Sequence, residues 1–550
     1  MSGDVVVLIV LLYAKRGCKY PVLDSLSYVF EHRCGPKRDG RLQLFADAQW
    51  RLAYSGHGSF SGEVIVMERS MQRLLSVEDC ESLSIDQVHE LYRQHVNPAQ
   101  VDLIGSFGFG RVLATKAEGV WIYTQDGRKV LDFTGGIGVL NHGHNHSRLV
   151  GARAKFEQAK RMEVHKSFFS PYLAALSRNF AELMPGDLDY CYFPNSGSEA
   201  VEGAIKTAYK YHGGAREHLL HADISFHGKL LGAASVTGSP ELDFRFPQIP
   251  HTSAFTYDDF ASVERLVSQL RKPNGESNVY AVILEPMNAS SLRQSSEYFL
   301  RSLRRLCDQE GIVLIFDEVY TGWAKTGHLF YFMKHGVVPD ILTTAKSIGG
   351  GKATLAGYVV RKPIFLKAFG NLNDATLHST TYYGFGQENA TAIEAINIIV
   401  EEDYPAKARR IFERLFPQLI ALKGKYSPVI EDVRGCGALC GILLRAPGGL
   451  WNAATKLIPS KMFKDERFTN KLVTSAVISD LYDSHSILTY FGSNREIPLM
   501  ICPPLITEDP EIDYFVRSLD NTLAKGVTSL TMQFAKRKFL GSKLSENVKG

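Results

Sequence analysis

The sequence has few of the features that mark specialised classes of protein. Its 550 residues include only 8 cysteines, which are scattered and form no CxxC pair. That usage argues against a disulfide framework and favours reduced thiols in a cytoplasmic compartment. Basic residues exceed acidic ones by only 62 − 58 = 4, too few to indicate a nucleic-acid or anionic-membrane surface. We therefore expect no nucleic-acid partner and no membrane partner.

Long hydrophobic runs are scarce as well. One run, "VVVLIVLLYA" at residues 5–14, is too short to span a bilayer. Asp4 precedes it where a signal peptide would carry a basic leader, so we interpret the run as a buried strand or an ordinary extension. Residues 1–95, which contain it, are turn-rich and are predicted to be an N-terminal extension of unknown role. Targeting of the chain by this extension to an organelle or to secretion stays open.

The remaining sequence shows apolar strands that alternate with helices. A hairpin is predicted at residues 119–133, and from Asp189 onward runs such as "VYAVIL", "IVLIF" and "DILTTA" are separated by helical stretches. Continuous apolar strands of this kind are typical of a parallel sheet that is covered on both faces. The sequence therefore predicts an α/β fold. Its large domain, residues 166–400, would hold a mostly parallel central sheet, and residues 96–165 and 401–550 would form a smaller α+β domain.

Polar residues follow three of the predicted strands. Glu285 comes after "VYAVIL", Asp317 after "IVLIF", and Lys346 after "DILTTA". Ligands of parallel sheets bind beyond the carboxyl ends of the strands, so these side chains are candidates for one pocket. A desolvated lysine has a lowered pKa and becomes a nucleophilic amine. Such an amine can form a Schiff base with an aldehyde.

Two further features fit the case in which that aldehyde is pyridoxal phosphate. The cofactor's ring nitrogen needs a carboxylate to keep it protonated, and Asp317 is the candidate. Its phosphate needs backbone N–H groups, which a helix N-terminus supplies best. The stretch "PNSGSEA" ends a predicted strand and opens a helix, which places Gly197 and Ser198 to present such groups.

These residues make the chain resemble the class III, fold-type I aminotransferases, which use pyridoxal 5′-phosphate. Five blocks in the family's order carry the resemblance over about residues 101–530: "LDFTGGIGVLNHGHNH", "NSGSEAVEGAIKTA", "SFHG", "FDEVYTGWAKTG" and "TTAKSIGGG". The resemblance implies a fold-type I enzyme. It would transfer an amino group from an amine or amino acid donor to a keto or aldehyde acceptor through a Schiff base at Lys346.

The resemblance also implies roles around the cofactor ring. Lys346 would form the Schiff base and would act as acid and base in the proton shift. Asp317 would pair with the pyridinium nitrogen. Phe226 and Val319 would stack on the two faces of the ring.

Further contacts are implied for the rest of the cofactor. Gly197 and Ser198 would hold the phosphate, and Thr381 would reach it from a second subunit, which implies a homodimer with shared sites. Three more cofactor-binding residues complete the set: His227, Glu285 and Tyr320. Tyr320 stands where the family has a glutamine that contacts the cofactor's phenolic oxygen. Because a tyrosine hydroxyl can also donate there, we expect a shifted absorption spectrum and retained activity.

The main departure from the family concerns substrate binding. Many members carry an arginine that binds the α-carboxylate of glutamate or 2-oxoglutarate, and this chain has Met500 there. The glutamate that pairs with that arginine is replaced by Ser290. Since both partners are missing together, binding of 2-oxoglutarate is open. Replacement candidates exist, but a structural or surface role is preferred for each: Arg434, Arg293 and Arg495.

Two alternative functions stay open at this stage. An aminomutase or racemase of the same family would keep the cofactor without an external keto acid, and Met500 favours that option. A catalytically silent binding or scaffold relative would use residues 1–95 as its interaction module.

The alternating histidines His142, His144 and His146 can in principle bind a metal ion, but no cysteine or carboxylate cluster accompanies them. We interpret them as loop-packing residues and predict no metal site.

Overall fold

The computed structural model describes residues 74–238, 246–445 and 466–546. The chain divides into two units, of which the first ends at Leu83. Within the first unit the described residues form the helix Val77–Glu81, whose N-terminus is capped by Ser76. The run predicted to be a strand at residues 5–14 lies outside the described residues. Among the helices described, none combines the length and the apolar character needed to cross a membrane.

The second unit contains all of the strands that the structure describes. In chain order they are β1 Ala114–Glu118, β2 Trp121–Thr124, β3 Lys129–Asp132, β4 Leu188–Tyr192, β5 His218–Ala222, β6 Thr252–Phe255, β7 Val279–Leu284, β8 Val313–Asp317, β9 Ile341–Thr344, β10 Gly357–Arg361, β11 Ile430–Cys436, β12 Leu439–Leu444, β13 Ile487–Leu488, β14 Tyr490–Phe491 and β15 Leu499–Ile501.

Helices connect and flank these strands. The α-helices of this unit are Ile85–His95, Pro98–Ser106, Gly135–Gly138, Ser147–Gln158, Pro171–Glu182, Gly197–Tyr211, Leu231–Ser235, Phe260–Gln269, Glu297–Glu310, Lys362–Phe369, Gly386–Glu401, Tyr404–Lys425, Glu466–His485, Asp509–Ala524 and Val527–Glu546. Two short 3₁₀ helices are Tyr331–Lys334 and Lys346–Gly349.

The largest sheet has seven strands in the order β4-β10-β9-β8-β7-β5-β6. Only β10 runs antiparallel to its neighbours, while β9, β8, β7, β5 and β6 pair in parallel. Every residue of β7, β8 and β9 is buried, as expected of strands that are covered on both faces. The predicted α/β fold with a mostly parallel central sheet is confirmed.

Two smaller sheets have the orders β1-β2-β3-β13 and β11-β12-β15-β14. The predicted hairpin is confirmed, because β2 and β3 pair antiparallel across a turn. β13 lies parallel to β3, with Ile487 opposite Leu131. One sheet thus joins the N-terminal and C-terminal segments, as the predicted small domain requires. The domain boundaries stay predictions.

Aromatic packing reinforces this junction. The ring of Phe133, just after β3, stacks on that of Phe515 in the helix Asp509–Ala524, with centroids 4.6 Å apart. Both side chains are fully buried, and burial of one phenylalanine contributes about 1.5–3 kcal/mol to stability. The junction therefore rests on side-chain burial as well as on the short β3–β13 ladder.

Candidate active site

Three neighbouring strands of the large sheet bring polar side chains to one edge. β7, β8 and β9 are adjacent and parallel. Glu285 follows β7, Asp317 ends β8, and Lys346 lies two residues beyond β9. Both carboxylates act electrostatically on the Lys346 amine. The structure thus places these three candidate residues together at the carboxyl edge of the sheet.

The backbone at Lys346 has a conformation that is uncommon for a lysine. Its φ is +53°, in the left-handed region, and it opens the 3₁₀ turn Lys346–Gly349. Such a conformation costs a non-glycine residue about 1–2 kcal/mol, so the surroundings must support it. The Ser347 hydroxyl donates to the Gly138 carbonyl at 2.9 Å and accepts from Lys325 Nζ at 2.8 Å. These bonds fix the turn that carries Lys346.

The Lys346 amine has no polar partner within the described chain. Among the residues the structure describes, its Nζ has neither a hydrogen bond nor an ion pair, and it lies 5.1 Å from the centroid of the Tyr320 ring. Burial lowers the pKa of Lys346, and the charges of Asp317 and Glu285 oppose part of that shift. A lysine with a lowered pKa spends more time as the neutral, nucleophilic amine at neutral pH.

Asp317 is a buried carboxylate that is held in one orientation. Its Oδ1 accepts the Val319 N–H at 2.9 Å, and its Oδ2 lies 2.7 Å from Nδ1 of His227. Both side chains are nearly inaccessible to solvent. Each carboxylate oxygen has a second lone pair, so Asp317 retains the capacity to accept from a further N–H donor.

Glu285 organises the turn that carries Phe226. Its Oε2 accepts the Phe226 N–H at 2.7 Å and the Asn288 amide at 2.7 Å, and its Oε1 accepts the Ala289 N–H at 2.8 Å. Burial raises the pKa of Glu285 to about 7, against the stabilising charge of His227. The structure therefore gives Glu285 a positioning role towards the Phe226 turn.

The helix Gly197–Tyr211 begins beside the same residues. Ser196 and Glu199 form a capping box, in which the Glu199 N–H binds the Ser196 hydroxyl at 3.3 Å and Glu199 Oε2 accepts the Ser196 N–H at 2.7 Å. Within the described part of the chain, the N–H groups of Gly197 and Ser198 have no hydrogen-bond partner. These two groups are free to bind an anion.

Close packing places this helix start against two other parts of the site. A Cβ on Gly197 would lie 3.0 Å from Val319 and 3.4 Å from Ala345, the residue before Lys346. The Ser198 side chain would lie 2.1 Å from a Cβ on Gly228, which follows His227. The glycines at 197 and 228 therefore allow three segments to approach more closely than larger residues would.

Tyr320 lies in the site with its ring towards Lys346. Its hydroxyl makes a short hydrogen bond to the Tyr490 hydroxyl, and its ring packs against Gly138. Tyr490 and Lys325 are site residues that the sequence analysis missed. Lys325 stands within the recognised block "FDEVYTGWAKTG", so its position gave a signal. Tyr490 lies in a two-residue strand with no local pattern.

The arginines proposed as carboxylate binders are all paired with acidic side chains. Arg434 and Arg293 both bind Glu496, with the shortest distances at 2.6 and 2.9 Å. Arg495 binds Asp223 at 2.9 Å. These contacts support the structural reading that the sequence analysis preferred.

Thr381 lies on an exposed turn that packs near the β4 edge of the large sheet. The N–H of the preceding Thr380 donates to the Tyr192 hydroxyl at 2.9 Å, and the Tyr192 ring stacks on Tyr383 at 4.2 Å. No hydrogen bond joins Thr381 to the other candidate residues in the described chain. Within this one chain, Thr381 stays separate from them.

The alternating histidines have separate packing roles. His142 Nε2 lies 3.0 Å from the Ala395 carbonyl, and His144 Nε2 lies 2.9 Å from Asp132. In the described ranges, the group with metal-ligand spacing is a different one, formed by Glu217, His218 and His251. It lies at the beginning of β5 and β6 and therefore at the opposite edge of the sheet from Lys346.

Comparison with known proteins gives a consistent assignment. The sequence model of the family described as aminotransferase class-III matches residues 109–523. A transaminase from the marine bacterium Virgibacillus is 22% identical, with a TM-score of 0.69 over 81% of this chain and 99% of that one. An (S)-enantioselective omega-transaminase from Thermomicrobium roseum is 25% identical, with a TM-score of 0.68 over 80% and 98%. The ornithine aminotransferase of Toxoplasma gondii ME49 is 21% identical, with a TM-score of 0.66 over 82% and 99%.

Proposed function

This chain belongs to the class-III aminotransferases, which transfer amino groups with the help of pyridoxal phosphate, and from that premise we propose that Lys346 and Asp317 are its catalytic residues. The observation that supports the proposal most is the juxtaposition at one sheet edge of a half-buried, unpaired amine and a buried carboxylate. Lys346 is the residue that would bind the cofactor's aldehyde. A relative, the Toxoplasma gondii ornithine aminotransferase, was crystallised with pyridoxal phosphate in part of its active sites.

The residues of the site fit this cofactor. When bound, pyridoxal phosphate supplies an aldehyde that carries the amino group and a protonated ring that withdraws electrons. Asp317 has lone pairs left to hold a proton on the ring nitrogen, and His227 keeps its carboxylate in place. The free N–H groups of Gly197 and Ser198 suit the phosphate.

Lys346 would also move the proton between the substrate carbon and the cofactor. A proton-transfer group is most effective when its pKa lies near the working pH. Burial lowers the pKa of Lys346 in that direction. The neutral amine would accept the proton from the substrate carbon and donate it to the cofactor's aldehyde carbon, so that no other base is needed.

Four further residues would position the cofactor. Glu285 holds the backbone of Phe226 through its N–H, so that the Phe226 ring can face one side of the cofactor ring. Val319 packs against Gly197 and would face the other side. Tyr320 would contact the cofactor's phenolic side, through its ring or its hydroxyl.

We also infer a homodimer in which Thr381 serves the site of the partner subunit. Thr381 is exposed, and exposed apolar side chains lie near it in the chain, among them Leu377 and Tyr382. Lys166 binds the Thr380 carbonyl at 2.6 Å, and the exposed Phe168 and Phe169 follow Lys166 in the chain. An apolar surface of this kind is typical of an interface between subunits.

A reducing, cytoplasmic location is part of the same proposal. The six cysteines of the described residues are all unpaired. Cys80 is exposed and Cys191 is half-buried, while the others are buried: Cys307, Cys436, Cys440 and Cys502. Free buried thiols are common in proteins of reducing compartments.

The proposed function is tested by chemical trapping. The full chain is loaded with pyridoxal phosphate, reduced with borohydride, digested and analysed by mass spectrometry. We expect a pyridoxyl group on Lys346, and we expect Lys346→Ala and the charge-matched Lys346→Arg to lose both the label and the absorption band at about 410–430 nm. A label on another lysine, or an unchanged band in both variants, would contradict the assignment.

Turnover separates transfer from isomerisation. The loaded enzyme is mixed with an amine donor and a panel of carbonyl acceptors, including pyruvate and 2-oxoglutarate. Transfer produces a new carbonyl compound from the donor together with a new amine from the acceptor. An isomerised donor that forms equally well without any acceptor would favour an aminomutase or racemase.

A further inference from the structure

A packed cluster of apolar and aromatic side chains lies beside the candidate site. Five of them form what we call the apolar wall: Met287, Leu292, Tyr320, Tyr490 and Met500. They belong to one packed cluster, in which Met287, Leu292 and Met500 are almost completely buried. The wall begins beside the catalytic amine, because Lys346 Nζ lies 5.1 Å from the Tyr320 ring centroid.

Met500, a member of the wall, stands where the resemblance to the family implies an arginine, and Ser290 stands where it implies the glutamate that pairs with that arginine. Met500 lies opposite Tyr490 in the β14–β15 ladder. Two residues beyond Tyr490, Gly492 packs on the Ser290 carbonyl so closely that a Cβ would lie 2.0 Å from it. Positions 290 and 500 are therefore close in space, and neither carries the charged residue that the resemblance implies there.

The hydroxyl that replaces the glutamate is already engaged. Ser290 Oγ donates to Asn288 Oδ1 at 2.9 Å and accepts from Asn494 Nδ2 at 3.0 Å. Asn494 is fully buried and also donates to the Ser225 carbonyl at 3.1 Å. This network ties the loop after β7 to the loop after β14 without any ionised group.

The cations nearest to the wall in sequence or structure are also engaged. Arg293 and Arg434 share Glu496, and they border a cavity of about 460 Å³ that Leu292 also lines. Lys325 is buried, and its Nζ donates to the Gly322 carbonyl at 3.1 Å and to Ser347. A carboxylate placed against the wall would thus be desolvated without a cationic partner, which is strongly unfavourable.

We propose, on the basis of the function proposed above, that the apolar wall selects an amine whose carbon chain carries no carboxylate. The substrate class is a primary alkyl or arylalkyl amine, and its counterpart is the matching aldehyde or ketone. In the exchange the donor's C–N bond is replaced by a C=O bond while the acceptor's C=O is replaced by C–N, so that no external oxidant is required. Met500 is the specificity-determining residue, because it fills the place of a carboxylate-binding group with a thioether.

The test compares amines that differ only in a carboxylate. Hexylamine is paired with ε-aminocaproate, and sec-butylamine with α-aminobutyrate. Each is mixed with enzyme loaded with pyridoxal phosphate, and loss of the long-wavelength absorption band is followed in a single turnover. We expect the second-order rate constant to be higher for the amine without the carboxylate, by on the order of 100-fold in each pair.

Several outcomes would overturn the proposal. One is an equal or faster reaction of the amino acid in both pairs. Another is a fast reaction of ε-aminocaproate that Arg434→Met abolishes, because Arg434 would then leave Glu496 and bind the substrate carboxylate. If no amine changes the spectrum of an enzyme that forms the band, the proposed amino transfer itself fails, and this result is distinguishable from a reversed preference.

A variant pair tests Met500 directly. We expect Met500→Arg to lower the ratio of the two rate constants within each pair at least tenfold, because the guanidinium can pair with the carboxylate of the amino acid. Met500→Leu, which keeps the volume and the apolar character, should retain the preference. Circular dichroism and the absorption band confirm that each variant folds and binds the cofactor. A folded Met500→Arg variant with an unchanged preference would remove Met500 from the proposal.

Discussion

Asp317 shows how a candidate catalytic group is held in place by a neighbouring side chain. Its carboxylate is oriented by two donors, the Val319 N–H and the His227 ring. His227 is buried, and its Nε2 has no hydrogen-bond partner among the described residues. The imidazole thus serves Asp317 through Nδ1 alone. We infer that His227 is a positioning residue that fixes where Asp317 meets the cofactor ring.

We predict that His227→Ala lowers the rate of the amino-transfer half-reaction by about 10- to 100-fold, the usual effect of removing a partner that orients a functional group. His227→Asn is the matched variant, because its Nδ2 can donate to Asp317 from nearly the same place as the histidine Nδ1. Stopped-flow measurement of the absorption band gives the rate, and titration gives the cofactor affinity.

A structural role for His227 would give a different pattern. If His227 only fills space, the alanine and asparagine variants should lose thermal stability to similar extents and the rate should follow the folded fraction. Recovery of most of the rate in His227→Asn, at the same folded fraction, supports the positioning role. Equal rates in both variants would contradict it.

Single residues can be predicted from the sequence where the chemistry requires one residue type at one position in the fold. Lys346 and Asp317 became candidates because Asp317 ends a fully buried strand and Lys346 lies just beyond another. Tyr490 and Asn494 could not, because they lie in a short segment whose position depends on the pairing of β14 with β15. The sequence shows that Ser290 and Met500 are uncharged where the family carries charged residues. It does not show that the Asn494 amide donates to the Ser290 hydroxyl.

At the scale of elements, prediction succeeded where burial imposes a pattern. β7, β8 and β9 are buried along their whole length, so their sequences are rich in apolar and β-branched residues and are easily recognised. β13 and β14 have two residues each, too few for any periodicity. Their pairing is decided by tertiary contacts, which local sequence does not report.

The helix Gly197–Tyr211 yields a prediction about cofactor retention. Gly197→Ala would place a Cβ 3.0 Å from Val319 and 3.4 Å from Ala345, so the helix start or the Val319 side chain must move. We expect the dissociation constant for pyridoxal phosphate to rise about tenfold, because the free N–H groups shift from their place while the helix itself persists. Equilibrium titration of the absorption band measures the constant.

A second glycine provides the control for this experiment. Gly151 lies in the helix Ser147–Gln158, and a Cβ there meets nothing within 4 Å. Gly151→Ala should stabilise the fold by about 0.5–1 kcal/mol through helix propensity and leave cofactor affinity unchanged. Equal affinity for wild type, Gly197→Ala and Gly151→Ala would show that the close approach at Gly197 does not shape the phosphate site.

At the scale of the molecule, the small domain depends on contacts between distant parts of the chain. The parallel pairing of β13 with β3 joins residues that are more than 350 positions apart in the sequence, Leu131 and Ile487. The sequence analysis predicted a small domain built from both segments but not this pairing, because two-residue strands carry no signal about their partners. The assembly raises a related question, because Thr381 completes either its own site or that of a partner subunit.

Complementation between two defective subunits decides that last question. If Thr381 binds the phosphate in the partner's site, a mixed dimer of Lys346→Ala and Thr381→Ala chains has one site with both residues intact. Each parent should be impaired: Lys346→Ala by losing the amine, and Thr381→Ala by a roughly 10- to 100-fold weaker cofactor affinity, the effect of one charge-assisted hydrogen bond. Assays at limiting cofactor make the second defect visible.

The two variants are co-expressed with different affinity tags, and the mixed dimer is isolated by sequential purification. We expect it to show about half the wild-type rate at limiting cofactor, because one of its two sites is complete. If Thr381 serves its own subunit, every site in the mixture carries one substitution, and no activity above the parents appears. A chain that sediments as a monomer while fully active would rule out the shared site altogether.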